Sequence, residues 1–153
     1  AFHSPKGYTA IVDYAHTPDG LENVLKAARE ITPEKGNLIC IFGCGGDRDK
    51  SKRAEMGRIA GEMSDIAVVT SDNPRNENPL LIINDILCGM EKSRARIAVI
   101  ENRRQAIEFA LEKARKNDIV LLAGKGHETY QIVGNEKIPF DEREIIKEYF
   151  NGF

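Results

Sequence analysis

The chain has 153 residues, 41% of them hydrophobic and 30% charged, with a formal net charge of −2. That suits one folded domain with a sizeable core and gives no electrostatic case for binding nucleic acid or an anionic membrane surface. No apolar run approaches the roughly 20 residues of a membrane span, and no charged-then-apolar segment opens the chain as a signal peptide would.

The chain starts Ala1-Phe2-His3 without Met, so it reads as an excised fragment or a processed product; His3 is placed in a frayed terminus. Tyr8–Tyr14 is the first strand expected. Thr17 then caps a helix with Pro18 in its first turn. Leu21, Val24, Leu25 and Ala28 follow at i, i+3, i+4 and i+7, one apolar face. Leu38–Phe42 is the second strand, and the loop 43–50 leads to a helix facing inward with Met56, Ile59, Ala60 and Met63. Ile66–Thr70 is the third strand. Asn78 and Pro79 open a helix carrying Ile83, Ile86, Leu87 and Met90. Ile97–Ile100 is the fourth strand, Asn102 caps a helix with Ile107, Ala110, Leu111 and Ala114, and Ile119–Ala123 is the fifth strand.

The alternation then breaks. Tyr130–Val133 and Glu136–Ile138 flank Gly134-Asn135, a two-residue hairpin signal. Asp141 with Glu144 has the spacing of a capping box for a last helix bearing Ile145, Ile146, Tyr149 and Phe150. Repeated strand–helix units imply an α/β, Rossmann-like three-layer fold. Its sheet should be mainly parallel, of about six strands, with a C-terminal antiparallel hairpin. Near-continuous apolar strands agree with burial on both faces.

Polar clusters follow the strands, where open α/β sheets collect their ligands. Asp72-Asn73-Pro74-Arg75 follows the third strand and Gly124-Lys125-Gly126-His127-Glu128 the fifth. One offers a guanidinium, the other a carboxylate and an ammonium, a rim suited to a zwitterion such as an amino acid. Asp, Asn and Pro are also ordinary turn residues, but a turn does not need Arg75, whose planar fork matches a carboxylate. Gly43-Cys44-Gly45-Gly46-Asp47-Arg48 lacks the third glycine of a dinucleotide fingerprint, because Arg48 stands there. Its glycines still admit a ligand to the backbone, and Arg48 can clamp a carboxylate or phosphate. Asp13 ends the first strand, where it can accept from ribose hydroxyls or from turn amides; His16 is a nucleotide contact or a surface imidazole. No GxxxxGK[ST] occurs, so a triphosphate cradle lies elsewhere. Cys40, Cys44 and Cys88 are odd in number with no CxxC pair, and read as reduced thiols of a cytosolic protein rather than a zinc or disulfide framework.

DYAHTPDGL (13–21), FGCGGDRDKSKR (42–53), TSDNPR (70–75), IIND (82–85) and LLAGKGHETYQI (121–132) stand in this order across essentially the whole chain. Together they resemble the C-terminal domain of the Mur ligases, in particular the tripeptide-forming branch that adds meso-diaminopimelate. The resemblance implies a monomeric three-domain enzyme of bacterial peptidoglycan synthesis in the cytoplasm. It implies that residues 1–153 are its third domain alone, with the UDP-sugar domain and the central ATPase domain outside this chain. ATP and Mg2+ would be held mainly by that central domain, and the isolated domain would be inactive. ATP would phosphorylate the γ-carboxylate of UDP-MurNAc-L-Ala-D-Glu, and the diamino acid amine would attack the acyl phosphate. By motif, Arg48, Asp72, Asn73, Pro74, Arg75, Gly124 and Glu128 would bind meso-diaminopimelate, while Asp13 and His16 would meet ATP. No metal ligand and no catalytic residue is carried over. The family often has Gly then Lys-Arg-Pro where Ser51-Lys52-Arg53-Ala54 stands; Ser at a cap and Ala inside a helix are harmless there. Three alternatives stay open: a ligase adding L-lysine or lanthionine, a non-catalytic nucleotide- or amino-acid-binding module, and a nicotinamide-dependent Rossmann protein.

Overall fold

The computed structural model describes residues 1–152. In chain order its elements are β1 (Phe2–His3), β2 (Thr9–Asp13), α1 (Pro18–Ile31), β3 (Leu38–Phe42), α2 (Ser51–Met63), β4 (Ile66–Val69), α3 (Pro79–Leu87), β5 (Arg96–Val99), α4 (Arg103–Lys113), β6 (Ile119–Ala123), β7 (Tyr130–Val133), β8 (Glu136–Pro139) and α5 (Glu142–Asn151). The main sheet runs β1-β2-β6-β3-β4-β5. Its ladders are parallel except β1–β2.

The pleat explains the continuous apolar strands. Leu38, Cys40 and Phe42 point to one core with α1, α2 and α3, while Ile39 and Ile41 point to the other with α4 and α5. In β6, Ile119, Leu121 and Ala123 divide from Val120 and Leu122 in the same way. Alternate side chains leave opposite faces, so a central strand covered on both sides must be apolar throughout. Three layers result, as expected.

The sixth strand comes from an unexpected place. Phe2–His3 is not frayed: it pairs antiparallel with β2, and His3 Nδ1 lies 3.2 Å from Thr9 Oγ1. The C-terminal hairpin forms its own two-stranded sheet. Its turn places positive φ on Gly134 (61°) and not on Asn135, the pattern of a type II′ turn.

The helix caps at Thr17, Asn78 and Asn102 form as the sequence indicates, each side chain accepting a first-turn amide. Two caps differ from expectation. Ser51 is not a cap but the first helical residue, and Asp49 Oδ1 accepts from its amide at 2.9 Å and its hydroxyl at 2.7 Å. Asp141 caps α5 through the Arg143 amide, with no reciprocal side-chain bond from Glu144. Met90 lies beyond the end of α3 yet remains buried.

No helix among the described residues is long and apolar enough to cross a membrane. The crossover from β2 to β3 passes over β6 on the α1 face, whereas α4 returns to β6 on the other face. Connections leaving opposite faces open a crevice at the carboxyl ends of β2, β6 and β3. The site lies there.

Candidate functional site

The loops after β3, β4 and β6 enclose an open cleft of about 650 Å3, within the range of small-molecule sites. Arg48, Asp72, Asn73, Arg75, Gly124 and Glu128 all line it. Pro74 does not: it is buried, its carbonyl accepts from the Glu77 amide at 3.0 Å, and it closes the back of the loop.

Lys125 turns inward, contrary to the expectation that its ammonium faces a ligand. Its side chain is 0% exposed. Nζ donates to Asn73 Oδ1 at 2.9 Å and to the Tyr130 carbonyl at 3.0 Å. It lies 3.0 Å from Asp72 Oδ1 and 3.7 Å from Glu128 Oε1. The Asp72 contact is an ion pair without hydrogen-bond alignment, so Oδ1 remains without a directional donor. A buried ammonium is tolerated only where charge and donors are matched, and four oxygens meet that need. Lys125 thus joins the two polar clusters from within, leaving the carboxylates of Asp72 and Glu128 at the cleft.

Arg75 adopts φ of 50°, uncommon for a non-glycine residue. The hairpin supports that backbone: the Arg75 amide donates to Ile132 O at 3.1 Å, and its carbonyl accepts from Gly134 N at 2.7 Å. Nη1 donates to Gly46 O at 3.0 Å and reaches Asn73 O at 3.4 Å. Among the described residues no carboxylate pairs with Arg75, Nη2 and Nε have no hydrogen-bond partner, and the residue lines the cleft. Arg48 is exposed and likewise unpaired.

The glycine loop lies flat against this turn. Gly46 N donates to Asn73 O at 2.7 Å, and a Cβ on Gly46 would fall 1.8 Å from Pro74 O. Gly124 has φ of 120°, and a Cβ there would crowd Asp72 Oδ2 at 3.3 Å. Beneath the loop, buried Arg53 donates to Gly45 O, Glu77 and Asp85 at 2.9–3.1 Å. The Arg53 hydrogen bond, with another from the Asp47 amide, holds the Glu77 carboxyl down to about 2. Because the folded value lies below the ordinary 4.5, this pairing stabilises fully above pH 4.5 and is lost as pH falls towards 2. In urea denaturation, wild type and Glu77→Gln should therefore differ above pH 4.5 and converge towards pH 2. A gap independent of pH would contradict the linkage.

Asp13 and His16 lie beside the cleft in a shallower groove, and His16 borders both. Asp13 Oδ2 accepts from the Ala15 amide at 2.9 Å, leaving Oδ1 free. His16 Nδ1 lies 2.9 Å from Tyr14 O, and its ring packs edge-on to Tyr14 at 4.9 Å. The turn reading and the ligand reading of Asp13 thus use different oxygens.

Sequence reasoning missed Arg53, Arg103 and Glu142. Arg103 and Glu142 form an ion pair at 2.8 Å with both side chains 0% exposed. Burial opposes the charge of Arg103, but the Glu142 and Asp72 carboxylates outweigh it and raise its pKa. A signal was present: both arginines occupy the first turn of a helix, where the macrodipole disfavours a cation. Among the described residues no three His, Cys, Asp or Glu side chains gather as a metal site. Cys40, Cys44 and Cys88 are free, and burial pushes the Cys40 and Cys44 thiols up to about 12.

Fold and rim together define a Rossmann-like α/β domain with a charged small-molecule cleft at its carboxyl edge. The family model of the Mur ligase, glutamate ligase domain matches residues 2–126, and the chain belongs to the Mur ligase family. It is 58% identical over 142 residues to UDP-N-acetylmuramoyl-L-alanyl-D-glutamate–2,6-diaminopimelate ligase of Clostridium botulinum, covering 93% of this chain and 29% of that protein. The enzyme of the same name from Thermosynechococcus vestitus is 60% identical over 136 residues, covering 89% and 27%. A solved structure of such a ligase superimposes with a TM-score of 0.92 at 39% identity, over 99% of this chain and 30% of the other. E. coli FolC in complex with ADP shares the fold at 21% identity, with a TM-score of 0.60 over 84% of this chain and 28% of that one. The chain spans less than a third of the length of these relatives.

Proposed function

We propose that this chain is the amino-acid-binding C-terminal domain of a UDP-N-acetylmuramoyl-L-alanyl-D-glutamate–2,6-diaminopimelate ligase, acting in the bacterial cytoplasm. The observation that carries the reading is Arg75: it lines the same cleft as Asp72 and Glu128, and two of its guanidinium nitrogens have no partner among the described residues. A ligand with a carboxylate and an ammonium on one carbon meets both. The fork of Arg75 takes the carboxylate at the far stereocentre of meso-diaminopimelate, and Glu128 takes the ammonium beside it. Arg48 supplies a second guanidinium, and Asn73 keeps its Nδ2 for a ligand because Oδ1 is committed to Lys125 and the Ile132 amide.

Holding that end leaves the other amine free to attack. It must be neutral, its proton lost to solvent or to another domain, when it meets the acyl phosphate formed from ATP and the D-glutamyl γ-carboxylate. The amide forms, phosphate leaves, and this domain contributes orientation rather than a catalytic group. Asp13 Oδ1 and His16 meet the ATP ribose and its surroundings across the adjoining groove. The triphosphate, with its Mg2+, is left to the rest of the protein, in keeping with the lack of a P-loop sequence in residues 1–153.

The test is phosphate release by the full-length protein. Turnover should require ATP, UDP-MurNAc-L-Ala-D-Glu and meso-diaminopimelate together. Release that proceeds equally without the diamino acid, or none with all three, would overturn the proposal.

A further inference from the structure

We infer that Arg103 is a positioning residue for the amino-acid cleft, its guanidinium clipping together the ends of the two strands from which both halves of the cleft spring. Nη1 donates to Ser71 O at 3.1 Å and Nη2 to Ala123 O at 3.0 Å. Those carbonyls immediately precede Asp72 and Gly124. β4 and β6 are not neighbours, because β3 lies between them. On the β3 side the ladders end at Phe42–Val69 and Ile41–Leu122, so no sheet hydrogen bond fixes the spacing of Ser71 and Ala123. The fork of Arg103 spans that gap.

The third direction of the guanidinium sets its plane. Nε donates to Glu142 Oε2 at 2.8 Å, while Glu142 Oε1 is buried without a hydrogen-bond partner. Packing alone does not require this arrangement, since apolar residues of similar volume commonly replace a buried pair without loss of stability. What they cannot reproduce is two parallel N–H donors at a fixed separation. Lys125 joins the two clusters within the cleft wall; Arg103 joins them at their base.

The inference rests on the reading of the cleft as the diamino-acid site. Its test uses full-length protein and two variants with opposite expectations. Arg103→Lys keeps the charge beside Glu142 but loses the fork. It should melt no lower than Glu142→Gln, yet raise the KM for meso-diaminopimelate about tenfold or more and lower kcat as well, because a misplaced amine attacks more slowly. Glu142→Gln keeps both carbonyl bonds; it should lower the melting temperature while leaving that KM within about twofold. A purely structural pair would make KM follow stability in both variants, and that result would overturn the inference, as would an unchanged KM in Arg103→Lys. Amide exchange of Asp72, Asn73, Arg75 and residues 124–128 without ligand separates the two readings. It should accelerate in Arg103→Lys even if wild type shows no turnover with the diamino acid, a result that would sink the proposed function alone. Should Arg103→Lys fail to fold, Arg103→Met with Glu142→Leu removes fork and pair together; unchanged loop exchange in that protein would overturn the positioning role.

Discussion

Arg75→Ala should raise the KM of the full-length ligase for meso-diaminopimelate by roughly ten- to a hundredfold, from the ~1.5–3 kcal/mol of a charged hydrogen bond. Nη1 is already committed to Gly46 O and Asn73 O, so the variant also frees the glycine loop. Alanine retains a Cβ at the same positive φ and adds no new backbone strain. Selectivity should fall with affinity. L-Lysine has no second carboxylate, so it leaves the cation unpaired in wild type and gains relatively when the cation is removed. Steady-state kinetics with both amino acids reads the effect; an unchanged KM for diaminopimelate would remove Arg75 from the site.

Lys125→Met should be the most destabilising single change at the rim. Removing one member of a buried ion pair strands the other, at a cost of about 3–5 kcal/mol. Here it strands Asp72, whose side chain is only 10% exposed, and weakens the setting of the more exposed Glu128. Asn73 Oδ1 loses a donor in the same step. For a domain of this size the midpoint should drop on the order of 10 °C. Adding Asp72→Asn should restore part of the loss, because the stranded charge is gone. A single variant that melts with wild type would show that the ammonium is not the strut its contacts suggest.

The sequence made the parallel core legible because each central strand is an unbroken apolar run and each helix a clear 3.6-residue pattern. β1 stayed invisible: two residues give no period, and only its pairing with β2 defines it. The hairpin was legible from Gly134-Asn135, but not its docking on the Arg75 backbone, which joins residues far apart in sequence. At the site, Arg75 and Glu128 face the cleft as a rim residue at a strand end should. Lys125 does not, because Asp72 and Asn73 of another loop draw its ammonium inward. Arg53, Arg103 and Glu142 were hidden for the same reason: a charged residue counts as surface until a partner distant in the chain is known. For Asp13 and His16 the strand-end position left a ligand and a turn or surface reading open, and only the motif resemblance favoured ATP; both residues line the groove beside the cleft.

The central claim is that Arg75 and Glu128 make the cleft a site for a carboxylate and an ammonium on one carbon. Calorimetry of the full-length protein, with an ATP analogue present, should detect binding of meso-diaminopimelate and not of L-lysine. Equal binding of the two amino acids would contradict the selectivity assigned to Arg75, and binding of neither would contradict the site itself.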